Sequence, residues 1–310
     1  MKSVGVIISG TTALDTIKTP FGSVTDALGG SGVYAGTAAN LFARVGIVSV
    51  TGKDFPRTHM VLLKKRFDLQ GLAVTGTTFR WKGEYHFAMD EAITKKTELG
   101  SLAGWKPEVP MAYKKARVFF LGNLDPEVQH ALLDWAHAQR PRAYLMLDTM
   151  NYWITSAKGR LLQAIERVDA LVINDGEARM ITGSPNLVRA GQLLLEYGPQ
   201  VVIIKKGEHG ALIFAGGKTN LFFSAPGYPL SEVVDPTGAG DSFAGALAGQ
   251  FAALKQFPTF PDLIRAVRIA TVVASFTTET LGPERLLALT LPEVQERLTA
   301  YTRYTQVTKE

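Results

Sequence analysis

The residues best suited to chemistry lie in one short stretch, Asp235-Pro236-Thr237-Gly238-Ala239-Gly240-Asp241. Helix-compatible residues follow it, which predicts a loop that leads into a helix. The first amides of a helix have no partners within the helix and carry the positive end of its dipole, so they bind anions such as phosphate. A carboxylate at this position suits the removal of a proton from a hydroxyl that attacks phosphorus. The alternative is that Asp241 only caps the helix and the glycines only form a tight turn.

A second candidate carboxylate, Asp15, follows the first predicted strand. Residues 4–9 form a short apolar run, which is typical of a buried strand in a mostly parallel sheet. Ligands of open α/β sheets lie beyond the carboxyl ends of the strands, so Asp15 is placed to accept hydrogen bonds from the hydroxyls of a ligand. No Lys or Arg lies between this strand and Lys18 to neutralise the carboxylate. An exposed loop acid without a ligand is the alternative.

The elements that must position these residues follow an α/β pattern. Apolar runs at 118–121, 144–147, 170–173 and 201–204 predict strands, and the segments 127–137, 157–167 and 187–197 between them predict helices. We therefore predict an α/β fold with a doubly wound, mostly parallel sheet, helices on both faces and one domain over residues 1–310. Residues 74–88 alternate apolar and polar side chains, which predicts a β-hairpin with its turn at Lys82-Gly83-Glu84.

Composition narrows the class of protein. The chain has 310 residues, 46% of them hydrophobic, which is enough for one large buried core. Its net charge of +5 is spread along the chain without a basic run of the kind that binds nucleic acid, so an anionic small substrate is the simpler explanation. The absence of cysteine agrees with a cytoplasmic enzyme. No apolar run is long enough for export or for a membrane span.

The stretch around Asp241 resembles the C-terminal signature of the ribokinase-like (PfkB) carbohydrate kinases, and the resemblance extends over nearly the whole chain. It implies an ATP-dependent kinase that phosphorylates a hydroxyl of a sugar or sugar-like polyol. In such an enzyme Asp241 is the catalytic base, and the amides of Gly238, Ala239 and Gly240 form the anion hole for the transferred phosphoryl group. The resemblance also implies a small β-sheet lid, drawn from residues 11–30 and 74–100, and we expect a homodimer to form through this lid.

The expected substrate contacts come partly from strand ends and partly from the resemblance. They are Asp15, Gly29, Gly30, Gly32, Tyr34, Arg80 and Asn123. The three glycines match the family's N-terminal signature, whereas Tyr34 stands where many members carry an Asn that touches the sugar. A solvated strand charge is the alternative for Arg80. The segment Gly30-x-Gly32-x-x-Ala35 also fits a dinucleotide fingerprint, but residues 24–28 do not predict the strand that must precede one.

The resemblance assigns further residues to the nucleotide and to metal ions. The expected nucleotide contacts are Asn174, Lys206, Gly207 and Thr237. Glu177 is expected to organise Mg²⁺ through water, because Mg²⁺ keeps several waters and takes few protein ligands. Asn174 and Glu177 also fit a helix capping box, which is compatible with that role. A monovalent cation, with K⁺ as the candidate, is expected at Asp235.

Two other functions are compatible with these residues. A nucleoside kinase of the same family shares the catalytic residues, and the aromatic residues Tyr34, Phe79 and Trp81 are candidates to stack on a base. A sugar-binding regulator that has lost turnover is the alternative outside enzymes. The presence of Asp241, the glycines before it, Asn174 and Glu177 argues against that second alternative.

Overall fold

The computed structural model describes residues 3–89, 92–140, 142–217 and 221–306. In this part of the chain, thirteen strands form two sheets. The strands are β1 (Val6–Ser9), β2 (Ala13–Thr19), β3 (Gly22–Gly29), β4 (Val45–Thr51), β5 (Asp68–Val74), β6 (Phe79–Glu84), β7 (Ile93–Glu98), β8 (Val118–Leu121), β9 (Tyr144–Leu147), β10 (Ala170–Asn174), β11 (Val201–Lys205), β12 (Ala211–Ala215) and β13 (Leu221–Ala225).

Eleven α-helices lie within the described residues and pack around the larger sheet. They are α1 (Ser31–Asn40), α2 (Arg57–Arg66), α3 (Pro126–Gln139), α4 (Asn151–Ser156), α5 (Lys158–Ile165), α6 (Asp175–Thr182), α7 (Leu187–Glu196), α8 (Ala239–Ala253), α9 (Phe260–Thr277), α10 (Glu284–Ala288) and α11 (Leu291–Thr305). None of these helices is both long enough and apolar enough to cross a membrane.

The larger sheet has nine strands in the order β13-β12-β11-β10-β9-β8-β1-β4-β5. The pairs from β11 to β5 are parallel, and β12 and β13 add two antiparallel strands at one edge. Both faces are covered, because Val6 and Ile8 of β1 belong to the core beneath α1, α8 and α9, whereas Ile7 belongs to the core beneath α3, α5 and α7. The predicted doubly wound α/β fold is confirmed.

The smaller sheet has four strands in the order β3-β2-β6-β7, and two local predictions there are wrong. Residues 24–28 do form a strand, since β3 pairs with β2. The predicted turn at Lys82-Gly83-Glu84 lies inside β6, which pairs with β7 instead. Glycine is needed at position 83 for packing and not for a turn, because a methyl group there would lie 2.0 Å from the Trp81 ring.

Helices α1 and α8 lie unusually close together, which brings their amino ends to one place. A methyl group on Gly245 would lie 2.1 Å from the Ala35 carbonyl oxygen, and one on Gly249 would lie 2.5 Å from that of Ala39. Small residues at these two levels let the helix backbones touch. The glycine-rich start of α1 therefore faces the glycine-rich start of α8, at the edge where β1, β8, β9, β10 and β11 end.

Candidate active site

The loop before α8 is held open by backbone conformation and by a buried carboxylate. Gly238 has φ 74°, and a methyl group there would lie 2.3 Å from the Tyr34 ring, so only glycine fits without strain. Asp235 is fully buried; its Oδ1 accepts the Thr237 amide at 2.9 Å and its Oδ2 accepts the Gly282 amide at 2.9 Å. These bonds fix the loop and place Asp241 in the first turn of α8, where the Ala239 amide already donates to the Pro236 carbonyl oxygen at 3.2 Å.

The start of α1 is fastened to the β1–β2 loop by paired hydrogen bonds. The Thr11 amide donates to Ser31 Oγ at 3.0 Å, and the Ser31 amide donates to Thr11 Oγ1 at 2.9 Å. The Gly30 amide donates to Asp15 Oδ2 at 3.3 Å. A methyl group on Gly29 would lie 2.0 Å from the same oxygen, so glycine at this position leaves room for the Asp15 carboxylate.

Four residues form what we call the tyrosine cluster, namely Asp15, Tyr34, Tyr85 and Asp235. Asp15 is 4% exposed, and burial raises its pKa to about 7, with the charges of Asp241 and Asp235 acting in the same direction. Tyr34 is 1% exposed and its hydroxyl has no hydrogen-bond partner within the described residues. The hydroxyl of Tyr85, which follows β6, accepts a hydrogen bond from Thr237 Oγ1 at 3.3 Å. The smaller sheet therefore reaches the loop before α8.

A second group, the lysine cluster, consists of Asp148, Glu177 and Lys205. Lys205 Nζ donates to Asp148 Oδ2 at 2.7 Å, and both side chains are largely buried. Asn174 and Glu177 form the capping box, with the Glu177 amide donating to Asn174 Oδ1 and the Asn174 amide donating to Glu177 Oε2, each at 2.7 Å. Burial, together with the charge of Asp148 and against the effect of Lys205, raises the pKa of Glu177 to about 8.

Asp241 lies between the two clusters. Burial raises its pKa to about 7; the charge of Asp148 adds to this and the charge of Lys205 opposes it. Its own negative charge in turn raises the pKa of Asp15 in one cluster and of Glu177 in the other. One carboxylate at a helix amino end thus faces both groups. Such a carboxylate, with a pKa near neutrality, can take a proton from a group bound on one side while the helix amides hold an anion on the other.

The lysine cluster has the chemistry of a Mg²⁺ site that is completed by a ligand. The capping box uses Glu177 Oε2 and leaves Oε1 without a hydrogen bond from any described residue. A buried carboxylate with a raised pKa beside a second carboxylate favours a nearby cation. No set of three or more acidic, His or Cys side chains capable of holding a metal occurs in the described residues.

The remaining predicted residues differ in how they are placed. Asn123 follows β8, but its side chain already has two partners. Its Oδ1 accepts a hydrogen bond from Trp153 Nε1 at 3.0 Å, and its Nδ2 donates to Met150 Sδ at 3.0 Å. Arg80 pairs with Asp26 and with Asp54. Lys206 is half-buried and Gly207 is exposed, directly after β11. Their roles as substrate or nucleotide contacts stay predictions.

Sequence reasoning missed two residues of the site. The resemblance places residues 205–210 beside the nucleotide with Lys206 as the expected contact, whereas the last position of β11, at the edge of the sheet, belongs to Lys205. The sequence places Tyr85 only within the alternating pattern of residues 74–88. Its contact with Thr237 spans 152 positions of the chain, so no local signal could have revealed it.

Comparison with known proteins adds the family. A model described as "pfkB family carbohydrate kinase" matches residues 91–287. A cytidine kinase of Thermococcus kodakarensis is 32% identical over 251 residues, which cover 79% of this chain and 87% of that protein.

Solved structures share the fold over almost the full length. The ribokinase of Giardia lamblia superimposes with a TM-score of 0.81 at 17% identity, covering 97% of this chain and 100% of that one. The nucleoside kinase of Methanocaldococcus jannaschii, an archaeal member of the ribokinase family, gives 0.74 at 20% identity, covering 96% of this chain and 100% of that one. At these identities the likeness shows a ribokinase-like fold.

Proposed function

The chain belongs to the pfkB family of carbohydrate kinases, and on that premise we propose that it transfers the terminal phosphoryl group of ATP to a hydroxyl of a sugar ring. The observation that carries this proposal is the position of Asp241. It lies in the first turn of α8, three residues after the left-handed Gly238, and its charge acts on both the tyrosine cluster and the lysine cluster. Those clusters are then the acceptor side and the phosphate side of one reaction.

In the proposed reaction Asp241 takes the proton of the acceptor hydroxyl as that oxygen attacks the terminal phosphorus. The new oxygen–phosphorus bond forms, the bond to the bridging oxygen breaks, and ADP leaves with that electron pair. The amides of Gly238, Ala239 and Gly240 hold the charge on the phosphoryl oxygens. A base works best when its pKa lies near the working pH, which the value of about 7 for Asp241 satisfies.

The phosphate side would take Mg²⁺ and the nucleotide. We assign the ion to Glu177, through water, with Asp148 beside it; when bound, Mg²⁺ neutralises phosphate charge. The proposed nucleotide contacts are Asn174, Lys206, Gly207 and Thr237. Asn174 ends β10, the next two residues follow β11, and Thr237 precedes α8 at the same edge. The proposed K⁺ site at Asp235 would have to share a carboxylate that already accepts two amides.

The acceptor side is formed by Asp15, which lies in β2 of the smaller sheet, and we propose that this sheet acts as the lid. Asp15 would accept hydroxyl donors, each charge-assisted hydrogen bond being worth roughly 1.5–3 kcal/mol. Gly29, Gly30 and Gly32 would let the acceptor approach the backbone, and Tyr34 would close the base of the pocket. A lid that excludes water protects the phosphoryl group from hydrolysis.

We propose a nucleoside, held by its ribose, as the acceptor, and a free sugar or polyol as the second candidate. Asp15 of β2 pairs in register with Trp81 of β6, and residues paired in this way project from the same face of a sheet. An indole beside the carboxylate that holds the sugar is suited to stack on a base. The cytidine kinase relative supports the same choice. The free sugar is supported by the match of Gly29, Gly30 and Gly32 to the family signature.

The test is acceptor-dependent release of ADP from Mg·ATP, measured with the four ribonucleosides, ribose and inositols in parallel. We expect turnover with a ribonucleoside, and its loss in Asp241→Asn. Turnover with ribose or an inositol alone would overturn the nucleoside assignment. Binding of an acceptor without ADP release from any of them would overturn the kinase proposal and favour the non-catalytic regulator.

The same proposal places the enzyme in the cytoplasm, where ATP is available, and expects a homodimer through the smaller sheet. That sheet and its flanking residues carry exposed apolar side chains, among them Phe21, Phe87 and Ile93. Sedimentation of the wild type beside Phe21→Ser/Ile93→Ser would test the dimer, and a monomeric wild type would exclude it.

A further inference from the structure

Lys205 is a charged residue of the site, and its part in the reaction does not follow from its place at the end of β11. Its side chain is only 15% exposed and its ammonium pairs with Asp148 at 2.7 Å. The ammonium also lies against the first turn of α8, since a methyl group on Gly240 would be 3.2 Å from Lys205 Nζ. The only cation of the lysine cluster is therefore beside the amides that would hold the phosphoryl group.

Fold stability alone does not account for this pair. A buried ion pair costs about as much to desolvate as it returns, and apolar residues of similar volume often replace such a pair without loss of stability. The other residues of β11, Val201 to Ile204, are buried and apolar. A lysine at the last position of this strand, where the strand reaches the candidate site, is better explained by a ligand.

Asp148 is not the only carboxylate whose charge acts on Lys205. Asp148 is its hydrogen-bonded partner, and the charges of Glu177 and Asp241 also favour its protonated form. An ammonium has three N–H donors, so the bond to Asp148 fixes its position and leaves other donors for an incoming oxygen. A phosphoryl oxygen seated on the Gly240 amide would lie within reach of that donor.

We propose that Lys205 is a further catalytic residue, whose ammonium, positioned by Asp148, donates a hydrogen bond to the phosphoryl group as it moves from ATP to the acceptor. This inference rests on the proposed function. The competing explanation is that Lys205 only neutralises Asp148 and touches no substrate. The two explanations differ in what happens when both charges are removed together.

The experiment compares Lys205→Met, Asp148→Asn and the double variant, using an acceptor on which the wild type turns over. Loss of one oriented donor to the transition state costs about 10²–10³-fold in kcat, and we expect that loss in Lys205→Met and again in the double variant. The double variant should unfold at a higher temperature than Lys205→Met, because Asp148 is no longer left as an unpaired buried charge. If the double variant regains the kcat of Asp148→Asn, Lys205 is only a neutralising partner and the proposal is wrong.

A matched control and a binding measurement complete the design. The double variant Glu127→Gln/Arg160→Met removes an ion pair between α3 and α5 and should keep wild-type kcat. Calorimetry should show that Lys205→Met binds Mg·ADP as the wild type does but binds Mg·ADP with aluminium fluoride, a mimic of the moving phosphoryl group, much more weakly. Equal weakening of both would assign Lys205 to nucleotide binding instead. A wild type without turnover on any acceptor would refute the proposed function itself, a result distinct from all of these.

Discussion

Replacing Asp15 by Asn should stabilise the protein while it weakens acceptor binding. Burial holds the pKa of Asp15 at about 7, compared with 3.8 for an unperturbed carboxyl. Folding therefore disfavours the charged form. Asn has nearly the same shape, carries no charge and can still accept the Gly30 amide.

The sign and size follow from proton linkage. Between pH 3.8 and about 7 the folded state binds a proton that the unfolded state has released, so this group lowers the free energy of unfolding as pH rises through that window. At pH 8 the full difference of about three pK units lowers the free energy of unfolding by about 4 kcal/mol. At pH 5 only about one unit contributes, which is roughly 1.5 kcal/mol. Burial of the Asn side-chain amide without full hydrogen bonding costs about 1–3 kcal/mol, which reduces the stability gained by removing the charge. Asp15→Asn should therefore be more stable at pH 8, with a smaller or no gain at pH 5.

The assay is urea unfolding of both proteins at pH 5 and pH 8, together with KM for each substrate. KM for the acceptor should rise about tenfold or more through the lost charge-assisted bonds, while KM for ATP stays unchanged. Asp54→Asn is the matched control. Burial would raise the pKa of Asp54, but hydrogen bonds from Thr78 at 2.7 Å and from Arg80 outweigh it and lower the pKa. This variant should be less stable at pH 8, and the difference should vanish as pH falls through the lowered pKa.

Two results would refute the reasoning. A loss of stability in Asp15→Asn at pH 8 would mean that the carboxylate has a stabilising partner and serves the fold. A rise in KM for ATP without a rise for the acceptor would place Asp15 on the nucleotide side of the cleft.

Three further predictions concern the phosphate side. Asp241→Asn should fold and bind ATP but lose about 10²–10⁴-fold in kcat, and wild-type kcat/KM should rise with pH through about 7 and then level off, since the base must be ionised; a near-normal rate in the variant would remove Asp241 from that role. Glu177→Gln should raise the Mg²⁺ concentration for half-maximal rate with little change in thermal midpoint, whereas a lowered midpoint with unchanged Mg²⁺ dependence would leave only the helix cap. Gly238→Ala should lose roughly 1–2 kcal/mol of stability to the left-handed backbone alone, more through contact with Tyr34, and should lower kcat; an unchanged midpoint would contradict the structure.

The parts of the fold that sequence could predict are those with a local signal. Uninterrupted apolar runs predict the buried strands β8 to β11, and the strand ends place Asn123 and Asn174 at one edge of the sheet. The loop before α8 could be predicted equally well, because small residues followed by a carboxylate occur in few other kinds of structure. The capping box of Asn174 and Glu177 was visible as a spacing of three and is present.

The parts that could not be predicted depend on contacts between distant segments. The sequence predicts a turn at Gly83. In the structure, the Trp81 ring leaves no room for a side chain at this position. Strand β3 contains Asp26 at φ 52°, an unfavourable residue and conformation for a strand, and it forms because β2 provides a partner. The pairing of Lys205 with Asp148 joins two strand ends 57 positions apart, so its chemistry appears only in three dimensions.

Carboxylates that build this fold can be separated from those suited to chemistry by combining two criteria. At Asp68, hydrogen bonds from Tyr113 and Gln70 outweigh burial and lower the pKa, so its partners explain it. Asp15, Glu177 and Asp241 have pKa values raised chiefly by burial, and each would be more stable uncharged. A raised pKa is not sufficient, since burial also raises that of Asp169, which precedes β10 at the opposite edge and accepts the Leu145 amide. A ligand becomes the better explanation only where the disfavoured charge also lies at the candidate site, as it does for Asp15, Glu177 and Asp241.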